Sequence, residues 1–348
     1  MSESVEKPMP FAYGGPPLSG VLRATPEDFV VDEDLGFATD GAGEHSFVRV
    51  EKRGANTDWV ARELARFAGV DERAVSYAGL KDRHAVARQS FSLHLPGKPD
   101  PDWAALQHDE FRILEFARHG RKLQRGALKG NHFRVVMRDI KGDHAAFERI
   151  FASIVAAGVP NYFGEQRFGR GGDNVRRAVA MFQGKRVARH ERSLLLSAAR
   201  SYLFNCVLGG RVQRGDWNRP LDGEVWMLAG THSIFGPETL TPELSDRHAR
   251  GDLDLTGPLW GEGELRSLAQ VRELESAIAD ANPQLIAGLV ANDLRQQRRA
   301  LALHPQNLAT QWLTEDSLEL RFYLNAGSYA TVVIREILNY GHPPSFAE

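Results

Sequence analysis

The hydrophobic period of this chain changes twice, and no other feature constrains its fold as strongly. Strand-like alternation dominates to about residue 152, and helical spacing governs roughly 156 to 303. Then "LELRFYL" restores alternation at Leu318, Leu320, Phe322 and Leu324. A chain whose end resembles its beginning more than its middle is most simply one domain inserted into another, because insertion at a surface loop leaves the parent core intact. In the first part, Phe29-Val30-Val31 between Pro26 and Gly36, the segment "HSFVRVEKRG", and "NHFRVVMRDI" predict strands, as do the residues around Tyr77 and from Ser90 to Leu95. "NTDWVARELARFAGV" spaces Val60, Leu64 and Phe67 as an amphipathic helix that stops at Gly69. The expectation there is an α+β body with mostly antiparallel strands. The middle predicts helices at "NVRRAVAMFQG", at "RSLLLSAARSYLFNCVLGGRV", and on both sides of Pro283, and "GSYATVVIREIL" predicts one more near the end.

With 348 residues, 42% of them hydrophobic, the chain can bury two sizeable cores. No apolar run reaches the ~20 residues that span a bilayer, and "MSESVEKPMPFAYGG" has no apolar segment of the secretory type. The single cysteine, Cys206, excludes an internal disulfide and a cysteine-based zinc site, and the twelve histidines form no HxxxH pair. The expectation is a cytoplasmic, soluble protein without metal. Its net charge of −2 hides an asymmetry. Arg112 to Arg138, including Arg121 and Lys122, holds eight basic residues against one acid. Gln166 to Arg192, including Arg176 and Arg177, holds eight against two. Two such blocks suit a polyanion; either one alone is equally a solvated helix face.

Three motifs could carry chemistry. In "YAGLKDRHAVARQSF", Asp82 stands between Lys81 and Arg83 on a tight connection after Gly79, where the flanking cations would favour the ionised carboxylate. On the residues alone, a charged turn with weak surface ion pairs is the commoner explanation. "GNHF" offers Asn131, able to donate and accept at a base edge, and Phe133, a stacking face; a turn asparagine before a core phenylalanine would look the same. "NYFGEQRFGRGG" matches neither a dinucleotide-binding nor a P-loop pattern, and a structural elbow between domains is a serious rival to any ligand role.

Taken together, "GLKDR", "GNHF", "NYFGEQRFG" and "NAGSYAT", in this order and spacing, resemble the TruD family of tRNA pseudouridine synthases, with similarity from "EDFVVDE" to "AGSYAT". The resemblance implies an isomerase that converts uridine 13 of tRNA to pseudouridine, with tRNA as partner and neither cofactor nor metal. It implies a pseudouridine-synthase domain with a mixed, largely antiparallel sheet over residues 1–154 and 304–348, interrupted by an α/β TRUD domain over 155–303, and a monomer. Asp82 matches the catalytic aspartate, and Phe29, Asn131 and Tyr329 match substrate-contacting positions. Phe133 matches an aromatic beside the target base. Arg83, Arg121, Lys122, Arg176 and Arg177 become candidates for the RNA backbone.

Such an isomerisation breaks the C1′–N1 bond and rejoins the base through C5. Asp82 could attack C1′ or abstract a neighbouring sugar proton, and an ionised aspartate serves either route. The detached base must meanwhile be held by an aromatic face and hydrogen-bonding groups. Two rivals remain at this level: a non-catalytic RNA-binding protein, and a nucleoside or glycoside hydrolase pairing Asp82 with Glu27 or Glu165.

Overall fold

The structure, a computed structural model, describes residues 9–341. The chain opens with β1 (Leu18–Leu22), β2 (Phe29–Asp34) and β3 (His45–Arg53), then α1 (Thr57–Phe67). Strands β4 (Val75–Tyr77), β5 (Val86–His94), β6 (Phe111–His119) and β7 (Gly130–Gly142) follow, and then α2 (His144–Ala157). The middle contains β8 (Val159–Pro160), α3 (Asp173–Phe182), α4 (Arg189–Arg214), β9 (Glu224–Leu228), β10 (Ile234–Glu238) and α5 (Pro242–Ala249). It continues with β11 (Leu253–Leu259), α6 (Ala269–Asp280), α7 (Pro283–Val290), β12 (Gln297–Ala300) and β13 (Ala302–Leu303). The end supplies β14 (Gln306–Thr314), β15 (Ser317–Asn325), α8 (Ala330–Ile334) and β16 (Leu338–Gly341).

The chain forms two compact bodies. Among the described residues, the first consists of Pro17–Phe147, Pro305–Ala330 and 338–341. It holds a ten-stranded sheet in the order β14-β15-β7-β2-β5-β3-β6, with β1 joining β7 to β16 and β4 beside β5. Only β1–β16 and β2–β5 are parallel; the other pairings are antiparallel. Alternation explains which face is covered. Val48 and Val50 of β3 and Phe91 and Leu93 of β5 point to one side, where Val60 and Leu64 of α1 close over them with Trp103 and Phe111. Leu318, Leu320, Phe322 and Leu324 are all buried, as their period-2 spacing predicts.

The second body takes in, among the described residues, 9–16, Glu148–His304 and Thr331–Ile337. Here α3, α4 and α7 pack through Val175, Ala178, Leu195, Leu203 and Leu289. The 26-residue α4 ends at Gly215, whose φ of 75° is the left-handed conformation that glycine supplies without strain. Among its buried charges, Arg211 (1% exposed) meets Glu224 (0% exposed) at 2.7 Å. Arg211→Ala would strand that carboxylate. It should destabilise this body by about 3–5 kcal/mol, against less than about 1 kcal/mol for breaking the exposed Arg250–Asp252 pair. Urea denaturation of the two variants makes the comparison, and equal small losses would show that Glu224 finds another partner.

One expectation needs extending and one needs correction. The middle is richer in helix than in strand, as its spacing predicts, and it also holds a four-stranded sheet, β10-β9-β11-β12. Its strands went unread because "EVWM" in β9 is buried throughout, and such a run shows no alternation. The predicted helix in "GSYATVVIREIL" shrinks to the five residues of α8, and the chain then pairs with β1 as β16. The bodies divide at Phe147/Glu148 and His304/Pro305, and Thr331–Ile337 groups with the second body. Among the described residues no helix is long and apolar enough to cross a membrane.

Candidate active site

Asp82 lies on the connection between β4 and β5, and hydrogen bonds from the protein interior fix that connection. Gln89 Nε2 donates to Gly79 O at 3.3 Å, and Lys81 N donates to Thr57 Oγ1 at 3.0 Å. Lys52 Nζ donates to Asp82 O at 2.8 Å, and His84 N donates to Asp82 Oδ1 at 3.0 Å. Oδ2 pairs with Arg23 at 2.8 Å, with the Asp82 side chain 26% exposed and that of Arg23 only 10%. The carboxylate is therefore held at both oxygens and still reachable.

The cation on Asp82 is neither of its sequence neighbours. Lys81 turns away to Glu33 Oε1 at 3.1 Å and to Asn131 Oδ1. Arg83 donates from Nε to Gly54 O at 3.1 Å and is otherwise exposed. Arg23, 59 positions before Asp82 in φ-positive backbone (φ 61°), takes the role expected of them. Its guanidinium lies 4.2 Å from the centroid of the Phe29 ring. Phe29 is 3% exposed, so its ring carries Arg23 and offers no open stacking face. It meets Phe133 edge-on at 6.2 Å, and Phe133 stacks on Phe322 at 5.2 Å.

The register explains why these side chains converge. Asn131 of β7 stands opposite Glu33 of β2 and Leu324 of β15, and Phe133 opposite Val31 and Phe322. Glu33 and Asn131 thus form a cross-strand pair that shares Lys81, leaving the Asn131 amide nitrogen as the free donor. Glycine precedes Asn131 because a Cβ at Gly130 would lie 2.3 Å from Leu324 O. Asn325 pairs with Gly130, and Ala326 N donates to Lys129 O, so the turn bearing the half-buried Tyr329 leaves the sheet at the Asn131 end. Of the two second carboxylates of the hydrolase reading, Glu27 pairs with Arg53 and the exposed Glu165 belongs to the other body, while the buried Glu33 of this sheet is bound by Lys81 and Ser90 N.

The basic blocks divide on inspection. In the first, Arg112, Arg118, Arg134 and Arg138 are tied to Glu51, Asp100, Glu319 and Asp28. Arg121 and Lys122 are exposed and form no ion pair among the described residues. They immediately precede the buried Leu123, which packs with Ala78 at the root of the Asp82 connection. In the second body, Arg177 pairs with Glu191 at 2.6 Å and Arg176 reaches Asp173 at 3.6 Å, whereas Lys185, Arg186 and Arg189 are exposed and unpaired among the described residues.

The family model for tRNA pseudouridine synthase D (TruD) matches residues 9–191 and 171–337. The chain belongs to the TruD family. It is 49% identical over 345 residues to the tRNA pseudouridine synthase D of Xanthomonas campestris pv. campestris (strain B100), covering 94% of each chain. It is 49% identical over 330 residues to that of Aeromonas salmonicida (strain A449), covering 94% of this chain and 93% of the relative. A crystal structure assigned to TruD from Methanosarcina mazei superposes with a TM-score of 0.71 over 96% of this chain and 97% of that one, at 22% identity, which shows a shared fold.

Arg23, Glu33 and Lys52 were not singled out in the sequence, yet two of them carried a signal. Alternation in β2 puts Glu33 on the face of Phe29 and Val31, and alternation in β3 puts Lys52 on the face of Val48 and Val50. A charge at an inward-facing strand position marks a site or a buried pair. Arg23 sits outside any strand, and no periodicity reaches it.

Proposed function

We propose that this protein is the tRNA pseudouridine synthase that isomerises uridine 13, with Asp82 as the catalytic carboxylate, acting in the cytoplasm as a monomer. The observation that carries the reading is the Asp82 carboxylate itself, bound at both oxygens by Arg23 and His84 N on an anchored connection and still 26% exposed. Asp82 acts on the ribose of the target nucleotide. The C1′–N1 bond breaks, the base turns, C5 bonds to C1′, and the C5 proton is released while N1 gains one. Product and substrate have the same formula, so no oxidant or group donor is required. Phe133 faces the base, Asn131 uses its amide nitrogen on a carbonyl edge, and Tyr329 closes over the same end of the sheet.

Mapping pseudouridine in tRNA from cells with and without the gene tests the reading. Uridine 13 should be modified only when the protein is present; free uracil or unmodified bound tRNA would identify the hydrolase or the passive binder.

Phosphate contacts fall to the exposed cations, Arg121 and Lys122 in the first body and Lys185, Arg186 and Arg189 in the second, with Arg83 beside Asp82. Arg121→Glu/Lys122→Glu should weaken tRNA binding and flatten its salt dependence by about one logarithmic unit of slope per lost contact. Arg176→Glu/Arg177→Glu should change the slope less, because those cations are partly neutralised already. Filter binding across a salt series measures both, and identical slopes in every variant would rule out this assignment.

A further inference from the structure

Lys52 is wholly buried on β3, at a position that alternation assigns to the core between Val50 and Ala55. Its three ammonium donors meet three carbonyl oxygens, Ala55 O at 2.7 Å, Asp82 O at 2.8 Å and Lys81 O at 3.4 Å. It forms no ion pair with a carboxylate among the described residues. Burying a cation without a counter-carboxylate is expensive, and an apolar side chain would stabilise such a core position better. What the ammonium does accomplish is to tie the backbone of Lys81 and Asp82 to the central sheet. We propose that Lys52 is the positioning residue for Asp82, and that only its protonated form holds the carboxylate in its working direction. This rests on the reading of Asp82 as the catalytic group.

The charged groups facing Lys52 are few. Burial pushes its ammonium down to about 8, Asp82 opposes that shift and Lys81 adds to it. Behind these, Arg23 neutralises Asp82 and Glu33 neutralises Lys81. Its neighbours across the sheet, Ala87 on β5 and Phe111 on β6, bring no charge. A neutral amine keeps two N–H groups and gains a lone pair, so one of the three carbonyls would then face that lone pair and the connection would loosen.

Stability and activity should therefore part company with pH. The folded-state value lies below that of an unfolded lysine, near 10.4. Between the two the unfolded chain holds more protons, and this residue's contribution to stability rises with pH. Activity should fall over the same window. A residue that served stability alone would make the two move together.

The test is single-turnover pseudouridine formation with saturating enzyme, from about pH 6.5 to about pH 9, for the natural protein and for Lys52→Met and Lys52→Arg. The natural protein should lose rate above about pH 8. Lys52→Met should be slower at neutral pH by about 10²-fold, the scale of an ångström-sized misplacement, with tRNA affinity retained and the alkaline limb gone. Lys52→Arg, which does not deprotonate, should also lack the limb. A natural protein whose rate is flat across the range, or a folded Lys52→Met within threefold of it, overturns the proposal. If Lys52→Met does not fold, the natural profile alone decides. Pseudouridine formed at neutral pH with no alkaline limb would refute Lys52 and leave Asp82 standing; no pseudouridine at any pH would refute the reading on which it rests.

Discussion

Asp82→Asn should abolish turnover while leaving the fold and tRNA binding nearly intact. The amide keeps the shape of the carboxylate and removes the one group that can attack C1′ or take a sugar proton. No other carboxylate among those bound in this body is free to replace it: Glu33 is buried under Lys81, and Glu27 is held by Arg53. The expected loss is about 10⁴-fold or more in single-turnover rate, the scale seen when a catalytic group is removed. Glu27→Gln and Asp71→Asn are controls. Glu27 is an exposed partner of Arg53, and Asp71 only caps the turn before β4 through Arg73 N, so each should cost little rate. Single turnover with saturating enzyme separates chemistry from binding, and substantial activity in Asp82→Asn would end the assignment.

The second-largest effect is expected at Arg23. Arg23→Met keeps an apolar stem over Phe29 but leaves Asp82 Oδ2 without its cation. Removing one partner of a buried pair typically costs about 3–5 kcal/mol. Because the Asp82 side chain is 26% exposed, water recovers part of that, and about 1–3 kcal/mol is the expected loss of stability. The rate should fall by about 10²-fold or more, since Oδ2 loses its ion pair and the carboxylate itself keeps the His84 N–H at Oδ1. Arg23→Lys should restore charge but not the planar stack on Phe29, giving an intermediate rate. Arg83→Ala, by contrast, should reduce tRNA affinity with little change in the chemical step, because Arg83 bonds Gly54 O and not Asp82. Equal rate losses for Arg23→Met and Arg83→Ala would show that proximity in sequence, not the ion pair, governs Asp82.

Much of the molecule was legible before any coordinates. Strands β3 to β6 of the first body bury one face under α1, and the helices of the second are periodic because each buries one stripe. Where an element is buried on every side, as in β9, the period vanishes and the strand was missed. The return of the chain as β16 beside β1 was missed for a different reason. Leu338–Gly341 is four residues long, and its partner lies more than 300 positions away, so nothing local announces the pairing.

The motif "GLKDR" by itself determined that an aspartate would stand on a tight connection between strands, and the four motifs together determined the family. Which cation holds Asp82 was decided only in three dimensions. Local sequence nominated Lys81 and Arg83, but Lys81 meets Glu33 and Asn131, which the register of β2 and β7 sets side by side, while Arg83 turns to Gly54. Arg23, from a turn with no periodicity, and Lys52, from the next strand but one, fill the space around the carboxylate. Charge pairing depends on distance through space, and spacing along a chain reports that distance only within a single element. Contacts between elements are set by packing, which is where the arrangement of this site was settled.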